Sequence, residues 1–284
     1  MRLLLLIGLL VAQTSSAQRD APPEPAIAAA ASPAPYAPSP EWTQDRSFTS
    51  TRFWRLDPGQ YEVQSWLRTR IPHEMAGVRA PAELRLQQEI EIGLTPHLQL
   101  DLYENLTFNV EDTGRRGVQQ EGLQIEARIS FGERYGQLFG NPVLYLEWHP
   151  RRHEPDRAEV RLLLGGELSD SVYLAVNPYF ETNIAPTEGR WLLDAEVGTT
   201  VALGLRLSEW LRISAELKIG ADMLGDDADR FHFVAWGGPG FILKPLPGRF
   251  RKHLKIMGTL LIALPGTPPQ AQQFEPLVIL GSQF

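Results

Sequence analysis

Between Glu83 and Phe108 the chain reads ELRLQQEIEIGLTPHLQLDLYENLTF, and its apolar residues recur every second position. Leu84, Leu86, Ile90, Ile92 and Leu94 share one face, with Glu83, Arg85, Gln87, Glu89 and Glu91 on the other. After Thr95-Pro96-His97 the pattern resumes. Leu98, Leu100, Leu102, Leu106 and Phe108 oppose Gln99, Asp101, Tyr103, Asn105 and Thr107. Period two is the mark of a strand, because successive side chains point to opposite faces. Each run is about a dozen residues, roughly twice the usual strand length, which suits a tilted strand crossing a bilayer. One face is fit for lipid and the other is charged. Such a pair reads as two staves of a transmembrane antiparallel up-and-down β-barrel, apolar outward and polar inward.

The same alternation extends from Gly59 to Phe284 and predicts strands at Gly59–Ile71, Glu83–Thr95, Leu98–Asn109, Gly122–Phe131, Val143–His149 and Glu159–Leu168. It continues with Val172–Asn183, Arg190–Leu207, Glu209–Ala221, Phe231–Ile242, Leu254–Leu264 and Pro276–Phe284. Twelve is an even number, as single-chain bacterial barrels have. In the eighth, Ala195, Val197, Thr199, Val201 and Leu203 belong on the lipid side, where arginine is excluded, while Thr200 and Ala202 should tolerate it. Connections after the second, sixth and eighth strands are tight, and those after odd-numbered strands are longer and polar. Short periplasmic turns and long extracellular loops sort in this way. A soluble barrel would turn its apolar face inward and has no reason to segregate its loops.

Mean hydropathy of −0.20 and a hydrophobic share of 43% exclude a helical membrane protein. A net charge of −7 with no basic run argues against nucleic acid as a partner. Cysteine is absent, which removes disulfides, thiolate metal sites and an N-terminal lipid anchor. Residues 1–17 carry Arg2, the apolar run from Leu3 to Ala12 and the small residues Ser15 and Ala17, the layout of a secretory signal peptide. Residues 18–41 are rich in Pro and Ala and read as a periplasmic linker. Residues 42–58 contain Phe48, Phe53, Trp54 and Leu56, too apolar for a free tether. They are expected to pack on the periplasmic rim, with entry into the barrel as a plug the alternative. The barrel itself is 59–284.

The lumen face is ionisable along most of the chain. Its acids are Glu62, Glu89, Glu91, Asp101, Glu126, Glu147, Glu167, Glu181, Asp194, Glu196 and Glu216. Its bases are Arg68, Arg70, Arg85, Arg128, Arg161, Arg206, Arg212 and Lys218. Opposite signs on adjacent strands should pair and hold the wall. A polar pore is the functional reading, and the excess of acids predicts a mild cation preference. The last three strands depart from this pattern: Val234, Trp236, Met257, Leu261, Leu277 and Ile279 fall on the lumen side. This apolar sector receives a plug, lines a path for a small hydrophobic solute, or reflects a bulge near Gly237-Gly238-Pro239-Gly240 that flips the phase.

No cofactor or metal is expected. His149 and His153 lie in a loop full of arginine, and Asp226, Asp227 and Asp229 lack the glycine and backbone-ligand pattern of a calcium loop. None of the six histidines stands in a hydrolase motif, so the chain is not expected to be an enzyme.

The stretch Phe48–Arg70, FTSTRFWRLDPGQYEVQSWLRTR, resembles the opening of the phenol-degradation (MetA-like) family of outer-membrane transporters, in which a short apolar lead-in precedes a Gly-x-(Tyr/Trp/Phe)-x-Val/Leu strand. The resemblance extends loosely to Phe284 and implies a passive barrel for small hydrophobic or aromatic compounds. It transfers no catalytic residue. The final PLVILGSQF resembles the C-terminal signature recognised by the barrel-assembly machinery through Phe284, although Ser282 stands where an apolar residue is usual. The expectation is a channel in the bacterial outer membrane, termini periplasmic, among lipid and lipopolysaccharide. A non-conducting structural or adhesive barrel is the alternative, and a lipid hydrolase a more distant one.

Overall fold

The computed structural model describes residues 39–40, 43, 53–70, 82–110, 116–151, 155–184, 194–224, 231–245, 254–267 and 274–284. The proposed signal peptide, nearly all of the linker and most residues of the odd-to-even connections lie outside this set. The first six strands are β1 Tyr61–Arg70, β2 Ala82–Gly93, β3 Leu98–Val110, β4 Arg116–Ser130, β5 Val143–His149 and β6 Arg157–Glu167. The others are β7 Val172–Asn183, β8 Asp194–Arg206, β9 Leu211–Leu224, β10 Phe231–Leu243, β11 Lys255–Ala263 and β12 Phe274–Gln283. Each pairs antiparallel with its sequence neighbours, and β1 closes on β12. Closure leaves no free edge, the condition under which a sheet can cross hydrocarbon. This is the twelve-stranded up-and-down barrel that the alternation predicts.

Large apolar side chains are exposed on the outer face, among them Val63, Leu67, Ile129, Leu146, Phe180, Leu203, Phe241 and Leu280. Their neighbours in sequence point inward and are buried. Four-residue turns follow β2, β6 and β8. They lie at the same barrel end as the two chain termini of the wall, where the Tyr61 and Phe284 rings stack 5.1 Å apart. This end is called the turn end below, and the opposite one the loop end.

Two features differ from the sequence expectation. β4 begins at Arg116 rather than Gly122, so residues 116–121 belong to the wall and not to a loop. The cause is a β-bulge: Asn105 pairs with Gly122 and Leu106 with Gln120, leaving Glu121 extra. Gly122 has φ +115°, and a Cβ there would lie 2.7 Å from the Pro150 carbonyl oxygen, so only glycine fits. The second concerns Gly237–Gly240. β10 pairs with β9 without a shift from Phe231–Met223 to Leu243–Leu211. The phase is kept through the glycines, and the inward position of the apolar residues is not a register artefact.

Candidate functional site: the lumen

Following the ladder from strand to strand, Glu62 pairs with Glu91, Glu91 with Asp101, and Asp101 with Glu126. Glu126 pairs with Glu147, Glu147 with Glu159, and Glu159 with Glu181. Glu181 pairs with Glu196, and Glu196 with Asp222. Acids thus occupy one unbroken cross-strand row over β1–β9. Glu62 is the second residue of β1, at the turn end, whereas Asp222 is near the loop end of β9. The row climbs the barrel. This corrects the expectation that opposite signs face one another across strands: like faces like, a destabilising arrangement on its own.

Bases and amides from the flanking rows offset the repulsion. Lys255 Nζ meets Glu62 Oε2 at 2.7 Å. Gln64 Nε2 donates to Glu62 at 2.6 Å and Glu91 at 2.9 Å. Gln99 Nε2 donates to Asp101 at 2.8 Å and Glu91 at 3.1 Å. Arg128 Nη2 lies 3.0 Å from Asp101 Oδ2, and its Nε bonds Glu126. Further round, Arg161 Nη2 donates to Glu159 at 3.0 Å, Arg157 lies 2.9 Å from Glu181, and Lys218 lies 2.9 Å from Glu196. Tyr103, Tyr145 and Tyr179 donate hydroxyls to Glu126, Glu147 and Glu196. Eight of these groups, Glu62, Gln64, Glu91, Gln99, Asp101, Glu126, Arg128 and Glu159, are buried. Charge-assisted bonds of this kind are the strong ones, and their absence would leave carboxylates stranded.

One row nearer the turn end, Arg128, Tyr145, Arg161 and Tyr179 are consecutive cross-strand partners. Arg161 lies 5.3 Å from both tyrosine ring centres, and Lys218 lies 5.3 Å from Tyr179 and 5.4 Å from Trp236. Cations and rings alternate here as cation–π neighbours. Tyr145, Tyr173 and Tyr179 escaped the sequence list although they share the parity of Glu147 and Glu181.

Other members of that list are placed as follows. Arg68 pairs with Glu275 at 3.3 Å, and Arg85 with Glu121 at 3.2 Å. Glu89, Arg212 and Glu216 are buried. Glu167 and Arg206 do not line the interior. Glu167 is exposed at the strand end, and Arg206 donates to the Asp170 carbonyl in the turn after β6. Both fall on inward parity, but their strands end before reaching the lumen proper. The side chains of Arg70 and Asp194 lie outside the described residues. Glu83, Glu121, Arg157, Glu159, Lys255 and Glu275 were missed because strand limits or bulges hid their parity. Carboxylate oxygens of Glu89, Glu91 and Asp101 come within 4.8 Å of one another, the one grouping among the described residues with metal-like spacing. Gln99 and Arg128 already engage two of its three members.

The apolar sector is a packed surface. Met257, Leu277 and Ile279 form a buried cluster with Trp66 and Ile242, while Val234 and Leu261 are buried nearby and Trp236 is half-buried beneath Lys218.

The N-terminal segment corrects the rim expectation. Phe53, Trp54, Arg55 and Leu56 are at most 1% exposed. Phe53 and Trp54 pack with Val143, Tyr145, Leu163, Tyr173, Ala175 and Ala202, all inward residues of β5–β8. Glycines make the room: a Cβ on Gly165 would fall 2.7 Å from Phe53 Cγ, and one on Gly93 would fall 2.1 Å from the Asp57 carbonyl. Arg55 donates through Nε to Ser130 Oγ at 2.9 Å and through Nη2 to the Glu133 carbonyl at 2.7 Å. The Leu56 amide donates to Gln99 Oε1 at 2.6 Å. Trp54 meets Tyr135 edge-on at 5.6 Å, and its indole N–H donates to Ser39 Oγ. Ser39 in turn holds Asp57 through its hydroxyl and amide, at 2.8 and 2.9 Å, so the end of the linker is tied down. Burial beside Glu167 pushes the Tyr135 phenol up to about 12. The segment lies against β5–β8, and the apolar sector on β10–β12 is a separate cluster.

No family model matches the chain, and no curated protein matches it in sequence. Solved structures do. An outer-membrane channel from Pseudomonas putida F1 aligns with a TM-score of 0.59 at 8% identity, covering 82% of this chain and 98% of that one. The NanC porin aligns with a TM-score of 0.53 at 7% identity, covering 79% and 98%. What they share is the fold. The lumen's chemistry must be argued from this chain's own residues: a carboxylate ramp, a cation–aromatic row, an apolar sector, and a docked segment near the turn end.

Proposed function

We propose that the chain is an outer-membrane channel for passive passage of small solutes, with its turn end periplasmic and Phe284 available to the assembly machinery. The observation that carries this reading is the acid row climbing the lumen inside a wall with an apolar outer face. A non-conducting barrel is better served by an apolar filling than by nine like-charged positions in register. The ramp biases passage toward cations by charge-ring logic. The apolar sector supports a second class of solute, hydrophobic or aromatic, in keeping with the resemblance at Phe48–Arg70. The Phe53–Asp57 stretch narrows the periplasmic mouth.

Single-channel conductance in planar bilayers tests this, on the protein lacking residues 1–17 and on a form also lacking 18–58. The expected result is small conductance in the first, larger conductance in the second, and a reversal potential in a salt gradient that favours cations. Silence from both forms, with the barrels folded by heat-modifiable gel mobility, would refute the channel and favour a structural or adhesive role.

A further inference from the structure

The wall carries a discontinuity beside the apolar sector. Between β10 and β11 the ladder runs through Trp236–Ala263 and Gly237–Ile262, then resumes only at Gly240–Thr259. The register is the same on both sides of the gap, so Gly238 and Pro239 drop out without a bulge. Pro239 has no N–H to give, and its carbonyl is taken by the Thr259 hydroxyl at 2.9 Å. Proline inside a sheet is confined to edges and bulges because it deletes a ladder bond. Here it stands mid-strand in a closed wall. The strands still touch: a Cβ on Gly238 would fall 1.7 Å from the Leu260 carbonyl oxygen, so any side chain there forces them apart. The seam is shut by contact and lacks its stitching.

Both sides of this seam are apolar. Inside lie Val234, Ile242, Met257 and Leu261, all buried, and outside Phe241 and Leu260 are exposed. Elsewhere the lumen is charged. A second gap exists between β6 and β7, where pairing skips from Arg161–Tyr179 to Leu164–Val176 around Pro178. That gap is backed by Leu163, which packs with the docked Phe53. Only the β10–β11 break joins an apolar interior surface to lipid without the docked segment behind it.

We propose that the β10–β11 seam at Gly238–Pro239 is a lateral exit, through which a small uncharged apolar solute leaves the lumen for the bilayer. The proposal rests on the channel reading above and specifies its hydrophobic solute route. A solute held against Met257 and Leu261 gains nothing by continuing along a carboxylate-lined axis into water. Parting two strands that lack ladder bonds costs less than at any fully paired seam, because exposed N–H and C=O groups are what make a wall opening expensive in hydrocarbon.

The chain has no cysteine, so a disulfide lock can be placed cleanly. Gly237→Cys with Ile262→Cys spans the seam next to the gap, on a paired and outward position where a Cβ on residue 237 has no neighbour closer than 3.5 Å. Leu164→Cys with Val176→Cys locks the β6–β7 gap as a control. Accumulation of radiolabelled toluene is measured in Gram-negative cells expressing each form, oxidised and then reduced, beside single-channel conductance of the purified proteins. Oxidation of the β10–β11 pair should bring toluene accumulation down to that of cells without the protein, leave ion conductance unchanged, and be reversed by reduction. The control lock should change neither. Undiminished toluene entry through the locked seam would overturn the lateral route while leaving the channel intact, as would loss of entry in the control lock instead. Equal loss of toluene entry and conductance would put both on one axial path and likewise overturn it. Toluene entry no faster with the unmodified protein than without it would overturn the hydrophobic-solute reading itself, and the route with it.

Discussion

Gly165→Val should expel Phe53 from the barrel without altering the N-terminal segment. The first added atom would fall 2.7 Å from Phe53 Cγ and 2.8 Å from its Cβ and Cδ2, about an ångström inside normal carbon contact. The ring is fully buried among Val143, Tyr145, Leu163, Tyr173, Ala175 and Ala202, so it has no free volume to slide into. Losing that berth costs the docked state about 3–5 kcal/mol, the usual penalty for deleting a buried phenylalanine. At about 1.4 kcal/mol per tenfold, the released-to-docked ratio rises roughly a hundred- to several-thousand-fold. Limited trypsin digestion reads this ratio. Arg55 is 1% exposed, with its guanidinium on Ser130 and Glu133, and can be cut only from the released state. Cleavage after Arg55, followed by mass spectrometry on the folded barrel, should accelerate in Gly165→Val and similarly in Phe53→Ala, since opening is fast relative to cleavage at low protease. Cleavage at the wild-type rate in Gly165→Val, with heat-modifiable mobility retained, would refute the docking argument.

Val201→Arg should destabilise the barrel by about 2–4 kcal/mol, as lipid-facing arginines do near mid-membrane, read from urea unfolding in lipid. Ala202→Arg should fail as well, against the tolerance its parity suggests, because Ala202 is 0% exposed beneath Phe53; full tolerance there would refute the packing. Lys255→Met should cost about 3–5 kcal/mol by stranding the buried Glu62, and adding Glu62→Gln should recover most of the loss. An unchanged midpoint in the single variant would show that the pair does not hold the wall. Tyr135 has its phenol raised from 10.0 to about 12 by burial and Glu167, so its support of the docked loop is complete below pH 10 and is lost as pH rises through 12. Protection of Arg55 from trypsin should fall over that alkaline window, and Tyr135→Phe should flatten the fall; an identical profile in both would refute the assignment.

The wall was legible because period two depends on nothing but the chain itself. Residues such as Leu203 and Thr200 reveal their faces by neighbour alone. Strand-to-strand register is different, since it is set by turn lengths and bulges. The row from Glu62 to Asp222 could not be read from any one strand, and the bulge at Gly122 hid both the start of β4 and the inward turn of Glu121. The berth of Phe53 was hidden for a related reason. Gly165 and Gly93 look like ordinary strand glycines until the segment lies across them, and the apolar stretch around Phe53 gives no sign of which side of the rim it takes. Apolar residues at Met257 and Ile279 were legible as exceptions to the rule. That they and the Phe53 berth form separate clusters was not, because the sequence cannot say which inward surfaces touch.

If the interior charges served only to bind the wall, the cheapest pattern would set acids and bases directly opposite, where cross-strand pairs gain most. The barrel instead sets acid opposite acid from β1 to β9 and moves the bases one row aside, to Arg128, Arg161 and Lys218. The tyrosines between them screen neighbouring cations from one another and carry hydroxyls to Glu126, Glu147 and Glu196. Each described carboxylate of the row therefore has a donor, so the wall stays intact while the sign of the ramp is preserved. The row ends at β9, and over β10–β12 its place is taken by Val234, Met257, Leu277 and Ile279. The side without carboxylates is also the side where the wall loses its stitching at Pro239. A charged ladder bond and a charged ramp both resist an apolar solute, and both are missing from the same sector. Coincidence of the two on adjacent strands is what a sideways path would require, and what a barrel built only to be rigid would avoid.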